Sequence, residues 1–249
     1  MRLSYFDNEK SGPVLLFIHG TASSNEVWED QYKLLNDSNC RVIGVDLRGH
    51  GSSLNPGGVC TIDDHVNDLV ETINNIGIKS PITIIGHSFG AVLAVRFAEI
   101  FPDSVYKLLL VSLPPRVPRI LCLYYKWFLG KPIKFLKQRM KFLLRFNSRL
   151  LKRYKTAIGT DLNIVRQIWR ESLYWDFLKS KPAINCPVHF SVGRFDYVSL
   201  KSMVKKVHRQ LPNSSYKEFN WASHTCMDDQ PNEFNRWILS SLALPSYSH

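Results

Sequence analysis

The sequence lacks the marks of a secreted, membrane-spanning or cofactor-loaded protein. Its five cysteines, Cys40, Cys60, Cys122, Cys186 and Cys226, are odd in number and show no CxxC spacing. Neither a disulfide framework nor a zinc site is indicated, and they read as reduced thiols. No apolar run approaches the roughly twenty residues needed to cross a bilayer; Leu108 to Tyr125, for example, is broken by Pro114, Pro115, Arg116, Pro118 and Arg119. The first ten residues carry charges where a signal peptide needs its apolar segment, and Val14 to Ile18 is only strand-length, so a cytoplasmic location is expected. A dinucleotide fingerprint, a Walker loop and an HExxH pair are all missing, so neither cofactor nor metal is expected. Internal repeats and low-complexity tracts are missing too.

What remains is a chain of 249 residues, 45% hydrophobic and 21% charged. That length fits one large core, or a core carrying an insertion. Short apolar runs, Val14 to Ile18 and Arg41 to Asp46, read as buried strands. Ile62, Val66, Leu69 and Ile73 recur every three or four residues before Gly77, predicting a helix over 62–76. A strand over 81–85, a Gly-rich turn, a helix over 89–101 and a strand over 107–111 follow. Later come a strand over 187–192, a helix over about 199–210, a short strand near 215–219 and a helix over about 232–242. Alternating strands and helices predict an α/β fold, with a mostly parallel sheet flanked by helices. Residues 1–113 and 183–249 form the expected core, and 114–182 a helical cap inserted in it. The cap region holds 17 Lys+Arg against 3 Asp+Glu, leaving 15 against 18 elsewhere. The whole +11 excess of the chain therefore originates in the insertion.

The strongest chemical signal is Gly86-His87-Ser88-Phe89-Gly90, with the apolar run Ile82 to Ile85 leading in and Ala91 to Ala98 leading out. A serine at such a strand-to-helix corner is held in a strained backbone that exposes its Oγ, and small residues must stand two before and two after it. Ser88 is the candidate nucleophile. A serine hydroxyl needs a base within about 3 Å to remove its proton. His224, in the polar loop before the last helix, is the candidate base. His19 reads instead as a loop-bonding residue, and His87 fills the variable slot beside the nucleophile. Asp196 ends Gly193-Arg194-Phe195-Asp196 after the late strand, where its carboxylate can accept the imidazole N–H. Asp228 and Asp229 read as the start of the final helix. The backbone N–H groups of Phe89 and Thr21 are the candidate oxyanion-hole donors.

These marks, with His19-Gly20-Thr21 and Asp46-Leu47-Arg48-Gly49-His50-Gly51-Ser52, resemble the α/β-hydrolase superfamily in its cap-bearing carboxylesterase branch. The resemblance covers about three quarters of the chain. It implies an α/β-hydrolase fold, a serine hydrolase and a structural role for the D-x-R-G-x-G-x-S loop. Serine rather than aspartate at 88 argues against haloalkane dehalogenases and epoxide hydrolases; carbon–carbon bond hydrolases and haloperoxidase-like proteins keep serine and stay open, as do thioesterases and small-molecule or lipid esterases. In the insertion, apolar residues from Ile133 to Tyr154 mark one helix face and Lys134, Lys141 and Arg145 the other. Trp127, Trp169 and Trp175 add aromatic surface suited to an apolar acyl chain. In length and placement the cap is similar to those of pimeloyl-acyl-carrier-protein methyl ester esterases of biotin synthesis, which implies an acidic acyl-carrier protein as a partner. An anionic membrane surface fits the same cations less well, and nucleic acid is not expected. A ligand receptor or scaffold with idle chemistry is the non-enzyme alternative.

Overall fold

The computed structural model describes residues 1–116, 153, 155–157 and 159–244. Strands β1 (Tyr5–Asp7), β2 (Val14–Ile18), β3 (Arg41–Val45), β4 (Ile82–His87), β5 (Val105–Val111), β6 (Val188–Gly193) and β7 (Ser214–Phe219) form one sheet. Their order is β1-β3-β2-β4-β5-β6-β7. All neighbours run parallel except β1, which pairs antiparallel with β3.

Successive side chains of a strand point to opposite faces, so a strand covered on both sides must be apolar at every position. Strand β2 meets this requirement: Val14, Leu16 and Ile18 enter one core cluster while Leu15 and Phe17 enter the other. Leu108 and Leu110 of β5 likewise face away from Leu109 and Val111. Helices Ile62–Asn75 and Phe89–Ile100 cover the first face. Trp28 and the helix Pro231–Leu242, through Phe234, Trp237 and Ile238, cover the second.

After β2 the chain crosses to β3 on one side and then returns to β4 on the other. This reversal opens a crevice at the carboxyl ends of β2 and β4, the place where open α/β sheets take their ligands. The turn after β2 contains Thr21, and the turn after β4 contains Ser88.

The sheet follows the sequence reading closely, with three differences. Strand β1 was not expected, because three half-exposed residues at a sheet edge carry no apolar run. The 3-10 turn Asn25–Trp28 and helix Glu29–Leu34 were also missed, although Val27, Trp28, Gln31 and Leu35 are all buried at helical spacing. Asp228 and Asp229 do not begin the final helix; they close a separate short helix, Cys226–Asp229, ahead of Pro231.

Within the insertion, helices Leu162–Tyr174 and Phe177–Ser180 lie on the core, and Ile164, Ile168 and Phe177 join its first cluster. Gly49 sits beneath them at φ +67°, where a Cβ would meet Ile164 at 2.7 Å. Trp127, Lys134, Lys141 and Arg145 lie outside the described residues. Among the described residues no helix is long and apolar enough to cross a membrane.

One buried ion pair braces the loop after β3. Arg48 Nε donates to Asp68 Oδ2 at 2.6 Å, and Nη2 donates to the Asp64 carbonyl at 3.1 Å. Both side chains are more than nine-tenths covered. Removing one partner of such a pair strands the other charge, which costs about 3 kcal/mol. Asp68→Asn should therefore lower Tm by roughly 6–12 °C, given a few degrees per kcal/mol at this chain length. Differential scanning calorimetry checks this, and an unchanged Tm would show the pair to be dispensable.

Candidate active site

Strand β4 runs through His87, two residues beyond the expected turn, so the corner falls on Ser88 itself. Ser88 adopts φ 53° and ψ −114°, a conformation that a residue with a Cβ takes only under constraint. The constraint is visible on both sides. A Cβ on Gly86 would meet the Gly90 carbonyl at 2.4 Å, and one on Gly90 would meet the Ile18 carbonyl at 2.3 Å. Helix Phe89–Ile100 therefore starts tight against β2 and β4, and its N-terminal partial charge lies beside Ser88 Oγ.

His224 Nε2 lies 2.9 Å from Ser88 Oγ. On the other edge of the ring, Nδ1 lies 3.0 and 2.9 Å from the two Asp196 oxygens. The carboxylate accepts from Nδ1–H, which leaves Nε2 as the acceptor for the serine hydroxyl. Asp196 Oδ1 also accepts from the N–H groups of Val198 and Ser199, at 2.9 and 2.8 Å. Burial pushes this carboxyl upward, yet the His224 imidazole and the two backbone donors outweigh it and hold Asp196 below the ordinary aspartate value. It stays ionised. The geometry thus joins three residues that the sequence reading had named from separate loops.

The base loop is held close to the acid turn by backbone contact. Phe195 N–H donates to the Ala222 carbonyl at 3.0 Å. A Cβ on Gly193 would stand 2.0 Å from the Ser223 carbonyl. Ser223 gives both its N–H and its hydroxyl to Asp229, at 2.7 and 2.6 Å. Asp228 accepts a two-point contact from Arg153 of the insertion, at 2.8 and 3.1 Å.

The turn after β2 abuts the elbow, since a Cβ on Gly20 would lie 3.1 Å from Ser88 Cβ. Ala22, at φ 55°, gives its N–H to His50 Nε2 at 3.1 Å. Among the described residues, the N–H groups of Thr21 and Phe89 donate no hydrogen bond. His19 bonds the loops as its position implied: Nδ1–H donates to the Gly20 carbonyl at 2.7 Å, and Nε2 accepts from Leu47 N–H at 3.0 Å. Burial depresses His19 and His50 below the ordinary histidine value and takes His87 down to about 3, so these rings are neutral.

Of the aromatic residues proposed for the substrate, Trp169 is half-buried on helix Leu162–Tyr174. Trp175 packs on the core beside Phe177, with ring centroids 6.5 Å apart. It lines an open groove of about 640 Å³ with Thr61, Arg96, Tyr174 and Lys179. No triad residue lines that groove. Sequence reasoning missed His50 and His87 as linkers, because a loop histidine shows no partner until the fold supplies one.

A family model described as the alpha/beta hydrolase fold matches residues 13–210. The chain belongs to the α/β-hydrolase fold family. Among curated members, the AB hydrolase superfamily protein YfhM of Bacillus subtilis is 26% identical over 261 residues, covering 94% of this chain and 91% of its own. Other curated relatives, at 33–35% identity, match only 41–46% of this chain and 29–38% of their own length. Among solved structures, a thermophilic esterase from Thermogutta terrifontis superposes with TM-score 0.79 at 24% identity, covering 97% of this chain and 93% of its own. The enol-lactonase from Burkholderia xenovorans superposes with TM-score 0.86 at 18% identity, covering 97% and 96%. At such identities these two likenesses speak for the α/β-hydrolase fold alone.

Gly193→Ala should push the base loop away from the acid turn and slow turnover roughly 10²-fold, the usual consequence of displacing a catalytic group by about 1 Å. Steady-state kinetics on a chromogenic ester checks this. Wild-type turnover in the variant would mean that the loop tolerates the displacement.

Proposed function

We propose that this chain is a serine carboxylic-ester hydrolase working through an acyl-enzyme. The observation that carries this reading is the 2.9 Å contact between His224 Nε2 and Ser88 Oγ, with Asp196 on the far side of the ring. In this mechanism His224 takes the hydroxyl proton as Oγ attacks the ester carbonyl. The N–H groups of Phe89 and Thr21 receive the oxyanion, and Asp196 stabilises the imidazolium. His224 then protonates the departing alcohol, and a water activated by the same ring releases the acid. A receptor or scaffold would gain nothing from a nucleophile held in strain.

For the substrate, the reading we favour is a small carboxylic ester with an apolar acyl part. It is supported by the fold shared with proteins named as an esterase and an enol-lactonase. A second reading is a methyl ester on an acidic acyl-carrier protein. The net +14 of residues 114–182 favours it, because opposite charge steers association at long range.

Ser88→Ala should lower kcat on a short p-nitrophenyl ester by roughly 10⁴-fold, and wild type but not this variant should react with a fluorophosphonate probe. Unchanged turnover in the variant would end the proposal. Reversing Lys134, Lys141 and Arg145 to glutamate should leave KM for a small ester in place. If that triple variant selectively raises KM for a carrier-linked ester, the second reading replaces the first; equal effects on both substrates remove it.

A further inference from the structure

We propose that His87 is a positioning residue for the base: its buried imidazole holds the main chain of His224 so that the His224 ring reaches Ser88. The inference rests on the reading of His224 as the base. His87 is 5% exposed, and its Nε2 lies 2.9 Å from the His224 carbonyl oxygen. The two rings stand 5.0 Å apart, and Trp28 meets the far side of His87 edge-on at 6.4 Å.

The proton on this ring is fixed by what surrounds it. Nε2 faces a carbonyl oxygen, which only accepts, so Nε2 carries the hydrogen. Among the described residues Nδ1 has no hydrogen-bond partner, and it is turned toward Gly20, where a Cβ would stand 3.0 Å away. Burial, reinforced by the neighbouring His224, keeps the ring neutral down to about pH 3, so the donated bond persists wherever the enzyme works.

Position gives this bond its importance. The other described anchors of the base loop tie it to its own following helix, through Asp229, or to the acid turn, through Phe195. Among the described residues, His87 supplies the hydrogen bond from the loop's main chain to the strand that carries the nucleophile. It is the residue immediately before Ser88, so base and nucleophile are referenced to adjacent α-carbons. The same ring packs on Gly20, next to Thr21, and so couples the base loop to the turn that offers the second oxyanion donor. A residue chosen for packing alone would be apolar here. A buried imidazole with an orphaned Nδ1 is retained where its other nitrogen has work to do.

In wild-type protein, ¹⁵N NMR should find His87 in the Nε2–H tautomer with a slowly exchanging proton. His87→Leu should lower kcat roughly 10²-fold with KM nearly unchanged, and His87→Gln, whose amide N–H can reach the same carbonyl, should recover to within about tenfold of wild type. An Nδ1–H tautomer, full turnover in His87→Leu, or equal loss in the leucine and glutamine variants would overturn the proposal. Should the leucine variant fail to fold, the tautomer and the glutamine variant still decide. An inactive Ser88→Ala alongside an unimpaired His87→Leu would remove His87 alone, whereas an active Ser88→Ala would remove the parent reading.

Discussion

Ser88 keeps its left-handed backbone because chain segments cross beside it more closely than any side chain permits. Gly86 lies against Gly90, Gly90 lies beneath the Ile18 and His19 carbonyls, and Gly20 lies against Ser88 itself. The strain at Ser88 costs on the order of 1–3 kcal/mol and persists because these contacts leave the corner no other shape. A fourth crossing, Gly193 on Ser223, brings the acid turn to the base loop in the same manner. Backbone meeting backbone lets residues 88, 196 and 224, which follow β4, β6 and β7, converge through short side chains with few rotamers to fix. The candidate site is thus a consequence of close main-chain packing at one sheet edge, and its three side chains are brought together by glycines.

The fold, and the places of Ser88, Asp196 and His224 within it, were legible in the sequence for a physical reason. Strands buried on both faces must be largely apolar, and β2 is apolar throughout while β4 and β5 carry the apolar stretches Ile84–Ile85 and Leu108–Val111. The elbow was legible because its steric demand writes glycine two residues either side of the serine. What stayed hidden had weaker constraints. Strand β1 is half-exposed and three residues long. Helix Glu29–Leu34 buries Gln31, a polar residue that breaks its apolar stripe. Composition alone offers Trp175 as substrate surface; the fold both packs it beside Phe177 and leaves it lining a groove that none of Ser88, Asp196 and His224 enters. Asp228 and Asp229 looked like dipole-stabilising carboxylates, whereas their geometry makes them anchors for Arg153 and Ser223.

His19 and His50, beside the candidate site, share one logic. A neutral imidazole offers a donor at one edge and an acceptor at the other, so it can join two backbone segments too far apart to bond directly. His19 joins Gly20 to Leu47, and His50 joins Arg48 to Ala22. Protonation would turn each accepting nitrogen into a donor facing an N–H. Burial prevents this by disfavouring the charged ring. Where a lysine would only donate, and a serine would donate and accept at one and the same oxygen, histidine does both from opposite edges of a ring, and the dry surroundings that make it costly to charge also keep it in the required form.

Charge is distributed on a larger scale and acts at a different step. Many carboxylates of the core are already committed to core cations, as in Asp7 with Arg41, Asp63 with Arg96, and Glu218 with Lys201 and Lys205. Asp228 is one that reaches across to the insertion, through Arg153. The remaining acids of the core cannot balance the insertion's 17 cations, so the field that an approaching molecule meets is positive. Such a field raises the rate of encounter with anionic partners and is screened within about 8 Å at physiological salt. The bond-making step is shielded differently: Asp196 is buried and His224 is four-fifths covered. Ionic strength should therefore act on association far more than on turnover of bound ester, because burial shields the side chains proposed to react.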